Sequence, residues 1–254
     1  LQRMCMAVPP KDIFMDGLMQ LISVDEAWVP TQQGHALYLR PFVFASEARF
    51  GVKISDEYRF IIFTGPVPAL YADPIKVKVE TNYIRAARGG TGFAKCGGNY
   101  GASFLPTQNA RLAGYDQVLW TDAFEHKWLQ EVGMMNVFFV INGKAITPSL
   151  EQETILAGIT RDSVMDILQE MNIPVEERRI SIDEVMQAHE NGTLQEVFGT
   201  GTAATIALIS DLKYQDTNMH FDADNWKIAP AIKKQLIGIK EGYIEDKFGW
   251  MEYV

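Results

Sequence analysis

Cysteine is scarce: Cys5 and Cys96 are the only two in 254 residues. That is too few for a disulfide framework or a four-thiolate zinc site, and it suits a reducing cytoplasm. The four histidines, His35, His126, His189 and His220, are scattered without ligand spacing, so no metal centre is expected. Basic residues are in deficit as well, 23 Lys and Arg against 32 Asp and Glu. The resulting net charge of -9 argues against a surface that neutralises nucleic-acid phosphates, and points to small molecules or protein as partners. Long apolar runs are missing. The stretch from Val137 to Ile141 has strand length, far short of the roughly 20 residues a membrane-spanning helix needs. No signal segment opens the chain; it starts Leu-Gln-Arg-Met-Cys-Met, an apolar pattern like the middle of a helix, and reads as an N-terminal truncation. What is present, 47% hydrophobic and 22% charged residues, is a globular composition sufficient for one large domain or two smaller ones.

Turn signals divide the chain into short elements. Residues 1 to 23 carry two amphipathic helical segments broken at Pro9-Pro10. Runs rich in β-branched and aromatic residues predict strands at 36–44, 59–64, 75–79, 116–120, 136–141, 175–180 and 194–198. Helices are expected at 103–112, closed by Gly114, around Val164, Ile167, Leu168 and Met171 at helical spacing, at 182–190, and from Trp226 to Lys247 with Pro230 in the first turn. Strands and helices mixed without a regular βαβ repeat predict an α/β (mixed α+β) fold.

The most glycine-rich stretch is GGTGFAKCGGNYG at 89–101. It is not a dinucleotide fingerprint, because Phe93, Ala94 and Lys95 stand where a third glycine is required, and no Gly-Lys-Ser/Thr exists for a Walker loop. A lysine in such a loop, taken by itself, reads first as a solvated side chain on a flexible turn. A second Gly-Thr turn is expected at GTGTAA, residues 199–204. Gly158-Ile159-Thr160 precedes the Val164 helix, whose first amides and positive dipole end form an anion site. On a strand, Tyr38 and Arg40 share one face while Leu37 and Leu39 take the other.

Three segments, GGTGFAKCGGNYG, QEVGMMNVFFV and EVFGTGTAA, resemble in order and separation the signature stretches of branched-chain amino-acid aminotransferases. The likeness extends upstream to VDEAWVP and HALYLRP and downstream to GITRDS and the Phe-Gly-Trp near the end, so it covers essentially the whole chain. It implies a fold-type IV (D-amino-acid-aminotransferase-like) enzyme dependent on pyridoxal 5'-phosphate. Two domains are expected, residues 1–80 as the remainder of an N-terminal small domain and 81–254 as the large cofactor-binding domain. The cofactor would lie between them, in a cytoplasmic homodimer. The reaction implied is reversible amino transfer between leucine, isoleucine or valine and 2-oxoglutarate.

By the same resemblance Lys95 is the Schiff-base lysine, kept neutral by desolvation beside Phe93 and Ala94. Glu131 would partner the pyridine nitrogen, Tyr100 the phenolic oxygen, and Ile159, Thr160 and Thr202 the phosphate. Substrate carboxylates would meet Tyr38, Arg40 and the amides of Ala203 and Ala204, with Val52 and Tyr71 as apolar wall. Some positions depart from the family: Met134 stands where some relatives carry Thr, and Ala204 and Ala207 where mammalian members carry a redox cysteine pair. The arginine that clamps the phosphate in the family lies in the part of the small domain before Leu1. Other readings on the same fold are a D-amino-acid transaminase, an aminodeoxychorismate-lyase-like enzyme, and a non-catalytic homologue.

Overall fold

The computed structural model describes residues 1–68 and 73–253. The chain divides into two compact units, Leu1–Ala69 with Asp246–Val254, and Leu70–Glu245. In the first, Pro10 caps helix α1 (Lys11–Val24), and strands β1 (Ala36–Ala45) and β2 (Tyr58–Val67) pair antiparallel. Phe14 of α1 stacks on Phe60 of β2 with ring centroids 5.6 Å apart, and Thr64 donates to the carboxylate of Asp25. None of the described residues of this unit is buried, since one helix on a two-stranded ribbon encloses too little to form a core. Pro9 and Pro10 separate α1 from a short 3-10 turn at Gln2–Met4, so only the second expected helix is α-helical.

The second unit is built on one nine-stranded mixed sheet. Its path runs β5 (Leu129–Val132), β4 (Gln117–Thr121), β3 (Ile75–Val79), β10 (Thr205–Tyr214), β9 (Leu194–Gly201), β6 (Asn136–Ile141), β7 (Lys144–Thr147), β8 (Val175–Glu177). Strand β11 (Thr217–His220) pairs with β10 off that path. All six residues of β6 are buried, the mark of a strand covered on both faces, and Phe138 stacks on Phe198 of β9 at 5.3 Å. Helices α2 (Gly97–Leu112), α3 (Ile159–Glu170), α4 (Ile182–Glu190) and α5 (Ile228–Lys240) complete the unit. The buried Glu196 carboxylate fixes α5 by accepting the amides of Lys227, Ile228 and Ala229 at 2.7, 2.8 and 2.7 Å.

The expected boundary at residue 80 does not hold. Strand β3 lies between β4 and β10, hydrogen-bonded in parallel to both, so it belongs to the large sheet, while Asp246–Val254 groups with the first unit. Among the described residues no helix is long and apolar enough to cross a membrane.

Candidate active site

Helix α2 begins at Gly97, six residues earlier than its sequence suggests, and this positions the loop before it. Asn99, in the first turn, donates from Nδ2 to the carbonyls of Thr91 and Ala94 at 2.8 Å each and accepts from the Thr91 hydroxyl at 2.8 Å. One side chain thus pins both shoulders of the loop that carries Lys95. Gly92 is needed for a close approach: a Cβ there would stand 2.6 Å from the Thr154 carbonyl and against the Ala86 methyl.

Lys95, Tyr100 and Glu131 line one cleft, together with Arg85, Met134 and Leu156. The Lys95 ammonium lies 6.0 Å from the centre of the Tyr100 ring. Lys95 is exposed, with Phe93 and Ala94 only half-buried, so the expected desolvation of its amine is not supplied by these neighbours. Glu131 is the opposite case, 2% exposed on a strand whose four residues are all buried. Its carboxylate pairs with Arg85 Nε at 2.8 Å and accepts the Leu156 amide at 2.8 Å. Burial pushes Glu131 up to about 7, with Arg85, the Leu156 amide and Lys95 pulling it down.

Arg85 escaped the sequence reading. Besides Glu131 it holds the Thr154 carbonyl at 2.8 Å and the Gly92 carbonyl at 3.3 Å, so one guanidinium ties β5, the Lys95 loop and the segment before α3 together. Nothing in Asn-Tyr-Ile-Arg-Ala-Ala-Arg distinguishes it from Arg88 three residues on. Asn136 was also missed. Its Nδ2 donates to the Leu156 carbonyl at 2.9 Å, its Oδ1 would collide with any Cβ on Gly158, and its backbone pairs with Thr200 on β9. Asn136 therefore joins the start of α3 to the strand leading into the β9–β10 turn. The backbone of Leu156 bridges Asn136 and Glu131, its carbonyl accepting from Asn136 and its amide donating to Glu131.

Gly158 caps α3 with no side chain on its amides, leaving the first turn, with Ile159 exposed and Thr160 half-buried, as free donors of the kind that hold anions. Thr202 and Ala203 are exposed in the β9–β10 turn and Ala204 is buried; the turn spans 202–204 because residues 199–201 continue β9. Residues 159, 160 and 202–204 are not part of the cleft lining. In the first unit, Tyr38 and Arg40 do share a face of β1, opposite Gly65 and Phe63, with the guanidinium 4.7 Å from the Tyr38 ring centre. Val52 stands fully exposed on the β1–β2 loop, and Tyr71 lies outside the described residues.

Comparison with known proteins gives the family. The model for class IV aminotransferases matches residues 4–211. A Staphylococcus epidermidis protein named "Probable branched-chain-amino-acid aminotransferase" is 45% identical over 98% of this chain and 71% of its own length. Branched-chain-amino-acid transaminase 1 of Bacillus subtilis is 44% identical over 98% of this chain and 72% of its own. The crystal structure of the branched-chain amino acid aminotransferase of Escherichia coli superposes with a TM-score of 0.80 at 26% identity, covering 97% of this chain and 78% of that one. With a lysine-bearing loop, a buried carboxylate and an uncapped helix start in one unit, and a family match across most of its length, the chain belongs to the class IV aminotransferases, a pyridoxal-phosphate-dependent family.

Proposed function

We propose that the chain is a branched-chain amino-acid aminotransferase, exchanging an amino group between leucine, isoleucine or valine and 2-oxoglutarate. The observation that carries the chemistry is the cleft in which Glu131, buried and paired with Arg85, faces Lys95 and Tyr100. The substrate class rests on the likeness to relatives with that name. Pyridoxal phosphate, when bound, supplies an electron sink for the substrate α-carbon.

The residues present fit that cofactor. A buried carboxylate held by a guanidinium suits a protonated ring nitrogen, and the uncapped amides of Ile159 and Thr160, with the Thr202 hydroxyl, suit a phosphate. In this reading Lys95 Nζ would hold the cofactor and, as a free amine, would carry the proton on and off the α-carbon. Glu131 would hold the positive charge at the ring nitrogen, and the Tyr100 hydroxyl would donate to the phenolic oxygen. Tyr38, Arg40 and the amides of Ala203 and Ala204 would receive substrate carboxylates. A panel of amino acids given to the full-length protein with 2-oxoglutarate tests the substrate: turnover of the three branched-chain L-amino acids is expected. Turnover of D-alanine instead, or no turnover and no visible band from bound cofactor, would favour another fold-type IV enzyme or a non-catalytic homologue.

A pocket that accepts both leucine and glutamate needs a cation for the second carboxylate, and the planar Arg40 fork suits it. Arg40→Leu is expected to weaken the half-reaction with glutamate by about 1.5 to 3 kcal/mol, roughly ten- to a hundred-fold, and that with leucine far less. Single-turnover rates for the two half-reactions decide it; equal losses return Arg40 to a surface role.

A cytoplasmic homodimer fits the free thiols and α2. Gly98, Gly101, Leu105 and Leu112 fall on one face of that helix, with open space over both glycines and the leucines 50% and 82% exposed. A flat apolar stripe of this kind suits a second copy. The Leu105→Glu, Leu112→Glu double variant is expected to halve the mass measured by light scattering, and an unchanged dimer mass would remove α2 from the interface.

A further inference from the structure

We propose that Asn136 is a positioning residue that sets the spacing between the two points at which the cofactor is held, the Glu131 carboxylate and the first turn of α3. The inference rests on the reading above, in which Glu131 takes the ring nitrogen and the α3 start takes the phosphate. Asn136 does not line the Lys95 cleft, so its effect there runs through those two points.

A chain reversal places Asn136 beside Glu131. Val132 and Met135 bridge across the turn at Gly133-Met134, each amide donating to the other's carbonyl at 2.9 Å. Glu131 and Asn136 are the next residues outward on the two arms, and residues directly opposed in an antiparallel pair face the same way. Gly133 holds the reversal in place: it sits at φ 58°, its amide donates to the Val118 carbonyl at 2.7 Å, and its carbonyl accepts Trp120 Nε1 at 2.9 Å. Asn136 itself is 6% exposed, opens a strand whose six residues are all buried, and pairs with Thr200 of β9. The anchor is therefore rigid.

Both side chains grip one residue. The Leu156 amide donates to Glu131 at 2.8 Å, and the Leu156 carbonyl accepts from Asn136 Nδ2 at 2.9 Å. The bond to Glu131 alone would leave the 156–158 segment free to pivot; the bond from Asn136 removes that freedom. Asn136 also carries the constraint to the helix, since its Oδ1 occupies the space that a Cβ on Gly158, the N-cap of α3, would need. A buried amide costs more than an apolar side chain of its size unless its polar ends are used, and here both ends are spent on residues 156 and 158. A ligand held at two fixed points gains from both together only while their spacing matches it. Loosening the spacing removes that gain and leaves each point's own affinity in place.

The test titrates the full-length protein, stripped of cofactor, with three ligands. Pyridoxal phosphate engages both points, whereas pyridoxal and inorganic phosphate engage one each; visible absorption follows the first two and the ³¹P line width the third. Asn136→Ala is expected to weaken pyridoxal phosphate at least about tenfold while changing pyridoxal and inorganic phosphate by no more than about twofold. Gly158→Ala presses a methyl onto Oδ1 from the other side and should give the same pattern with Asn136 intact, which keeps the test open if Asn136→Ala does not fold. In the double variant the added methyl has room, so the two losses should not add. Equal weakening of all three ligands would make Asn136 a structural residue and overturn the proposal, as would an unchanged affinity for pyridoxal phosphate in both variants, or additive losses. Wild-type protein that binds pyridoxal phosphate no more tightly than pyridoxal would instead remove the two-point reading of the cofactor site, and this inference with it.

Discussion

Lys95→Ala is expected to lower transamination by on the order of 10⁴-fold or more while leaving the fold intact. The amine is asked to do two things that no neighbour duplicates, anchoring the cofactor and moving the α-proton, and each is a large factor by itself. The side chain is exposed and forms no hydrogen bond or ion pair among the described residues, so its removal leaves no orphaned partner. The loop around it is held through Asn99, which the substitution does not touch. Thermal stability should stay within the roughly 0.5 kcal/mol typical of surface changes. Leucine consumption with 2-oxoglutarate, the visible band of covalently held cofactor and the melting temperature are measured together. Lost turnover and band at an unchanged melting temperature is the expected pattern. Wild-type turnover would return Lys95 to a solvated turn, and a collapsed melting temperature would make it structural.

How much of this was legible follows from the kind of signal each part carries. Where hydrophobic pattern and turn residues agree, the elements fall where expected: 75–79 and 136–141 are strands to the residue, and 182–190 is a helix capped by Ser181. Glycine misled at α2, because Gly97, Gly98 and Gly101 have poor helix propensity and read as loop, yet all three lie in the helix. The C-terminal helix was overextended, as it ends at Lys240 ahead of Gly242 at positive φ. Strands β5, β7 and β10 went unread, since their pairing with distant strands leaves little trace in so few residues. In the site, Lys95, Tyr100 and Glu131 stand in long motifs and were found together. Arg85 was not, because a buried ion pair joining positions 46 apart has no local pattern. Lys95 is exposed although Phe93 and Ala94 precede it, because apolar sequence neighbours desolvate an amine only where the fold packs them over it.

Arg85 is where the structure adds most to the expected chemistry, and Arg85→Leu should show it as a stability loss that grows with pH. Removing one partner of a buried pair typically costs about 3 to 5 kcal/mol, because the other charge is left uncompensated. Glu131 has an escape: it can take up a proton. Its pKa in the folded protein is already pushed up to about 7 from 4.5, so between those values the folded state holds a proton that the unfolded state has released. The contribution is full below the unfolded pKa and is lost as pH rises through the folded one, about 3 kcal/mol in all. Without Arg85 the folded pKa rises further, and stability keeps falling above pH 7 where the wild type has levelled off. Urea unfolding of the cofactor-free proteins from pH 5 to 9 should give a small gap in acid, from the lost bonds to Gly92 and Thr154, widening through neutrality. Activity at pH 8 should fall by on the order of 100-fold or more, since a protonated Glu131 cannot hold positive charge at the ring nitrogen. A gap that is constant with pH would mean that Arg85 acts through its carbonyl bonds alone, and that the charge of Glu131 is governed by something other than this pair.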